Sequence, residues 1–127
     1  MRENNKKRRG KKPSESQKLN TSFIVQKVNR KLKYEVYSHY SKGQPKCACC
    51  GERDIRFLSI DHIGGGGMAH RKSITKTGSI ASPSTLNRWL RQNGYPPEYQ
   101  VLCMNCNCAK YWYGICPHQA ELDLLIL

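Results

Sequence analysis

Val25, Val28, Leu32, Val36 and Tyr40 recur at three- and four-residue spacing in the first third of the chain. That period places them on one face of a helix. Lys27, Arg30, Lys31 and Lys33 fall mostly off this stripe. The spacing predicts an amphipathic helix over roughly 22–41 that packs through its apolar face and turns a basic face outward. Ser14-x-x-Gln17 has the form of a capping box, and Thr21 or Ser22 could cap a helix just after it. Gly43 and Pro45 end the pattern.

The pattern then becomes short and broken. Arg56–Ile60 alternates weakly and reads as a short strand that delivers Asp61-His62 at its end. Four glycines follow, Gly64 to Gly67, where the backbone must turn sharply or approach a ligand closely. Residues 68–82 read as a long polar loop. Ser82-Pro83 starts a helix, with Ser as cap and Pro in the first turn, and Leu86, Trp89 and Leu90 form its apolar face until Gly94. Pro96-Pro97 forbids helix. Tyr99–Leu102 reads as a second short strand, and Cys103–Tyr111 as a turn running into a helix. The expected class is a small α+β domain of 45–118, preceded by a helical segment over 14–44 and a basic, disordered arm over 1–13. The C-terminal tail spans 119–127, and its stretch Leu122–Leu127, apolar apart from Asp123, is expected to pack onto the body.

Only 38% of the 127 residues are apolar, so the core is small and such chains often need a metal or disulfide staple. The formal net charge of +13 is uneven: residues 1–50 hold 14 Lys/Arg against 3 Asp/Glu, and residues 51–127 hold 8 against 6. A one-sided basic load suits a polyanionic partner. The candidate contacts are Lys6, Lys7, Arg8, Arg9, Lys11 and Lys12 in the arm and Lys27, Arg30 and Lys31 on the helix. A solvated basic tail is the plainer alternative. No apolar stretch approaches the roughly 20 residues of a membrane span, and the start lacks a secretory h-region. A cytoplasmic, reducing location is expected, where disulfides are rare.

Seven cysteines, an odd number set in close pairs, favour metal over disulfides. Cys47-x-x-Cys50 and Cys103-x-x-Cys106 form two knuckles that can present four thiolates to one structural zinc. The 52 residues between them exceed what a plain zinc ribbon holds, so a functional element is expected there, pinned at both ends by the metal. Cys49 or Cys108 could replace a neighbour in the tetrad. Cys116-Pro117-His118 could offer a further ligand pair, though a structural or unligated role is the leading expectation for it.

The order Cys-x-x-Cys, Leu58-Ser59-Ile60-Asp61-His62-Ile63, a glycine-rich loop, then Leu102-Cys103-Met104-Asn105-Cys106-Asn107-Cys108-Ala109-Lys110 resembles the zinc-stapled HNH (His-Me finger) endonucleases, in particular small phage- or intron-encoded members. The resemblance covers about residues 45–118. It implies a ββα-metal unit and hydrolysis of phosphodiester bonds, most simply in double-stranded DNA, with 5′-phosphate and 3′-hydroxyl products. It makes His62 the general base, since imidazole accepts a proton near neutral pH. It makes Asp61 and Asn107 oxygen ligands to one Mg²⁺ or Mn²⁺ ion, and Lys110 a phosphate or charge-stabilising contact. His70-Arg71 would contact phosphate near the leaving group, or His70 would be a third ligand; an exposed loop pair is the alternative.

The sequence departs from the family at one point. The middle Asn usually lies about five residues before Cys103; here Glu98 stands there, followed by Tyr99 and Gln100. Gln100, Asn105 and Asn93 are the candidates to brace His62 instead. A zinc-bearing binder of structured RNA or of a nucleoprotein assembly, without turnover, is the competing function. A toxin or restriction component is a third. Trp89, Tyr111, Trp112 and Tyr113 could stack on bases, but are expected to be core aromatics.

Overall fold

In a computed structural model the chain is described over residues 10–120. Lys6, Lys7, Arg8, Arg9 and the apolar stretch Leu122–Leu127 lie outside the described residues. Within them the chain forms α1 (Glu15–Ser41), a 3-10 turn (Ile55–Phe57), β1 (Leu58–His62), α2 (Gly67–Ser73), α3 (Pro83–Gln92), β2 (Tyr99–Cys103) and α4 (Met104–Tyr113). It is a small α+β arrangement of four helices and one two-stranded antiparallel sheet. No described helix is long and apolar enough to cross a membrane.

α1 begins earlier than the apolar stripe predicts. The Ser14 hydroxyl accepts the Gln17 N–H, and the Gln17 side chain accepts the Ser14 N–H at 2.8 Å. This reciprocal cap satisfies two donors that a helix start leaves unpaired, so the helix begins at Glu15. It ends where Lys42 takes a left-handed φ of 55° and Gly43 donates to the Ser38 carbonyl at 3.1 Å. Only the C-terminal half of the stripe packs. Leu32, Val36 and Tyr37 are buried, whereas Val25 and Val28 are 49% and 58% exposed. A helix of 27 residues runs about 40 Å, and the apolar residues of its N-terminal half, Leu19, Phe23, Ile24, Val25 and Val28, stay exposed. Lys11, Lys12, Lys27, Arg30 and Lys31 are exposed.

The strands pair in one register, with Ser59 opposite Leu102, Asp61 opposite Gln100 and His62 opposite Tyr99. Directly opposed residues share a face of the sheet. Ser59, Asp61 and Gln100 therefore lie on one face, where α4 brings Asn107 and Lys110. His62 and Tyr99 lie on the other, where Tyr40 of α1 and Trp89 of α3 approach Tyr99 at ring-centroid distances of 6.0 and 6.5 Å. Leu58, Leu86, Leu90 and Val101 join Leu32 and Val36 in the core between these elements.

The reading of 68–82 as a loop is corrected: α2 occupies Gly67–Ser73. Gly65 and Gly66 sit at φ 79° and 75°, which only glycine adopts freely. They reverse the chain so that Met68-Ala69-His70-Arg71 starts a helical turn at once. The remaining loop is drawn back onto α2, because Ala81 donates to the Arg71 carbonyl at 3.0 Å and the Arg71 guanidinium donates to the Ala81 carbonyl. α3 starts at its expected cap, with the Ser82 hydroxyl accepting the Thr85 N–H and Pro83 in the first turn. The exposure of Tyr111, Trp112 and Tyr113, at 72% or more, overturns their assignment to the core. They fall on the last turn of α4, past the point where that helix touches the sheet. Trp89 does pack against the core.

Candidate functional site

Asp61 and His62 end β1 and point to opposite sheet faces, so each has its own surroundings. Asp61 is 7% exposed, and a buried carboxylate must be paired or hydrogen-bonded. Its Oδ2 accepts from Gln100 Nε2 at 2.9 Å and from Lys110 Nζ at 2.6 Å. Lys110 also donates to the carbonyls of Ile63 at 3.0 Å and His62 at 3.4 Å. An ammonium has three donors, and all three meet acceptors at the end of β1. Lys110 thus neutralises Asp61 and holds the strand end in this state, in place of the expected free phosphate contact.

Asn107 is oriented by a short relay. The Ser59 hydroxyl donates to the Leu102 carbonyl at 3.1 Å. Its single proton is then spent, so toward Asn107 its oxygen can only accept. Asn107 Nδ2 donates to it at 3.1 Å. The amide carbonyl oxygen is thereby turned away from Ser59 and left as an available acceptor. Asp61, His62, Asn107 and Lys110 line one open groove of about 940 Å³ that also includes Arg71 and Asn87. One carboxylate and one amide oxygen are donor types that a hard cation takes; in this structure Asp61 Oδ2 is paired with Gln100 and Lys110.

His62 is braced by a residue other than the three candidates. Its Nε2 lies 2.9 Å from His70 Nδ1, across from α2. Gln100 is bonded to Asp61, and the Asn93 side chain donates to the Trp89 carbonyl. Tyr99 meets the His62 ring edge-on at 4.9 Å, and Trp89 meets the His70 ring at 4.4 Å, so an aromatic wall surrounds the histidine pair. Burial, followed by the neighbouring His70, holds the His62 imidazole below its ordinary pKa, favouring the neutral form that can accept a proton. Gly67 lies against the same ring: a Cβ there would sit 2.8 Å from His62 Nδ1. His62, His70, Gly64–Gly66, Glu98 and Tyr99 also line a second opening of about 400 Å³. The Glu98 carbonyl accepts the Ile63 N–H at 3.1 Å, so this position supports the strand end through its backbone.

The sequence offered His70-Arg71 as a pair, for phosphate contact or a third metal ligand, or as an exposed loop. The structure separates them, with His70 against His62 and Arg71 clamped to Ala81. It also adds Ser59 and Asn87, and it places Gln100 on Asp61. Asn87 is 3% exposed, and its Oδ1 is buried without a hydrogen-bond partner. Its signal was a polar residue between Leu86 and Leu90 on the buried side of α3.

The two knuckles converge as expected: one sulfur from each of Cys47, Cys50, Cys103 and Cys106 lies within 4.8 Å of the others. The Cys50 and Cys103 sulfurs are 3.6 Å apart. With Zn–S bonds of about 2.3 Å, tetrahedral sulfurs lie about 3.8 Å apart, so the quartet fits a structural metal such as zinc. Burial pushes the Cys47 thiol up, but backbone hydrogen bonds from Cys103, Cys50 and Cys49 outweigh it and bring it down to about 7. Burial pushes Cys106 up. A second quartet, Cys49, Cys106, Cys116 and His118, gathers beside the first within the same limit. Cys108 is exposed and joins neither. Compared with known proteins, the chain matches no protein-family model, no curated protein and no solved structure.

Proposed function

We propose that this chain is a metal-dependent HNH-type endonuclease acting on DNA, with a ββα-metal site built from β1, β2 and α4. The observation that supports it most is the Ser59 relay. It leaves the Asn107 carbonyl oxygen available in the groove that Asp61 and His62 also line. Asp61 and Asn107 would hold a Mg²⁺- or Mn²⁺-type ion, whose charge neutralises the phosphate. His62, kept neutral by burial, takes the proton of a water that attacks phosphorus. The bond to the 3′-oxygen then breaks, leaving a 5′-phosphate and a 3′-hydroxyl. His70 fixes the ring through Nε2, which leaves Nδ1 as the accepting nitrogen, and Gly67 keeps the space beside it open. Exposed Lys27, Arg30 and Lys31 and the aromatics Tyr111–Tyr113 supply charge and stacking surface for the nucleic acid.

A supercoiled-plasmid nicking assay with Mg²⁺ or Mn²⁺ tests this reading. Wild type is expected to nick and His62→Ala to lose at least about a hundredfold in rate, in line with removal of a general base. Equal rates for both, or no cleavage with any divalent ion, would refute it. A second reading, a zinc-bearing nucleic-acid binder without turnover, draws on the Lys110–Asp61 pair of 2.6 Å, which already neutralises the carboxylate. Binding that persists in EDTA with no cutting would favour it.

A further inference from the structure

We propose that the cysteine cluster is a two-metal centre in which the Cys106 thiolate bridges two zinc-type ions. The two quartets share one residue, Cys106, and no other. Its side chain is fully buried, and it stands at the first turn of α4, where its N–H donates to Cys103 Sγ at 3.4 Å. On one side are Cys47, Cys50 and Cys103. On the other are Cys49, Cys116 and His118.

Local backbone explains the division. The turn at Cys47–Gly51 is closed by Gly51 N–H to the Cys47 carbonyl at 3.0 Å and Cys47 N–H to the Glu52 carbonyl at 2.8 Å. Within it Cys47 and Cys50 face one quartet, and Cys49, between them, faces the other. After α4, Gly114 at φ 79° lets the chain turn back. A further turn, with the Gln119 N–H on the Cys116 carbonyl at 2.8 Å, presents Cys116 and His118 together.

The second quartet has the spacing of a coordination shell. His118 Nδ1 lies 3.4 Å from Cys106 Sγ, 3.4 Å from Cys116 Sγ and 3.8 Å from Cys49 Sγ. Sulfur and nitrogen around a tetrahedral zinc, at bond lengths of about 2.3 and 2.0–2.1 Å, lie about 3.5 Å apart. One nitrogen within 3.4–3.8 Å of three sulfurs from three separate places in the chain is the arrangement a shared ion requires. A single thiol hydrogen bond would explain one of these distances and leave the others without cause. A thiolate keeps lone pairs after binding one cation, so Cys106 can serve both ions. Two divalent cations then face six thiolates and one neutral imidazole, which lowers the repulsion that six thiolates around one ion would create.

Native mass spectrometry and elemental analysis of the full chain, purified with zinc, give the test. Two zinc ions per chain are expected, falling to one in the Cys116→Ser/His118→Ala variant and staying at two in Cys108→Ser. Cadmium-substituted wild type should show two cadmium NMR resonances coupled to each other through the shared sulfur. This readout needs no variant to fold. One metal per chain in wild type, retention of two in the double variant, or uncoupled resonances would overturn the proposal. It is independent of the nuclease reading, because a chain inactive on DNA would bind the same two ions.

Discussion

Gly67 carries a demand that its neighbours do not. At Gly65 and Gly66 the need for glycine is conformational, but at Gly67 it is spatial, because a methyl group would press within 2.8 Å of His62 Nδ1. Alanine is ordinarily the better helix former, so Gly67→Ala should leave thermal stability and zinc content near wild type. On the proposed chemistry it should nonetheless lower the nicking rate by about a hundredfold, as displacement of a reacting group by about 1 Å can. Rates measured alongside melting temperature check this. A loss of activity matched by a loss of fold would show the glycine to be structural. At this scale the sequence was only partly legible. Asp61, His62, Asn107 and Lys110 come together as their motif suggests. The partner of His62 was hidden because His70 lies in a run with no apolar periodicity, and only the positive φ of the glycines before it turns that run into a helix. Asn87 was missed because its place beside Leu86 and Leu90 is only a weak signal, and its burial depends on how α3 sits.

Among the elements, α1 is divided between a packed half and an outlying half. Leu90 of α3 is fully buried in the core shared with Leu32 and Val36 of α1. Leu90→Ala should cost about 2–5 kcal/mol, for lost burial and the cavity it leaves. Val28→Ala, on the same helical stripe as Val36 but 58% exposed, should change stability by no more than about 0.5 kcal/mol. Urea unfolding of both variants tests the contrast, and similar losses would mean that the outlying half is covered. The periodicity of Val25, Val28, Leu32, Val36 and Tyr40 correctly announced a helix, but repetition along a sequence cannot say where the supporting body ends. Strands and caps were legible where local chemistry decides them, as at Ser82-Pro83 and Tyr99–Leu102. The exposed Tyr111, Trp112 and Tyr113 were misjudged because aromatic character alone does not locate a surface.

For the whole molecule, 38% apolar composition is that of a chain that commonly needs a metal staple, and the cysteine cluster is placed to hold one. Excess chelator should therefore abolish cooperative thermal unfolding and most helical circular dichroism, and added zinc should restore them. A chain that melts identically with and without chelator would show that the metal is dispensable. The cluster also has a consequence in polymer terms. Cys50 and Cys103 are 53 positions apart, so a metal joining them closes a ring that contains β1, α2, α3 and most of β2. Treated as a cross-link, a ring of that length removes chain entropy from the unfolded state worth about 4 kcal/mol. Every residue of the groove except those of α1, α4 and Gly114 is inside this ring, so the ends of the site are tethered even while its interior is free to rearrange.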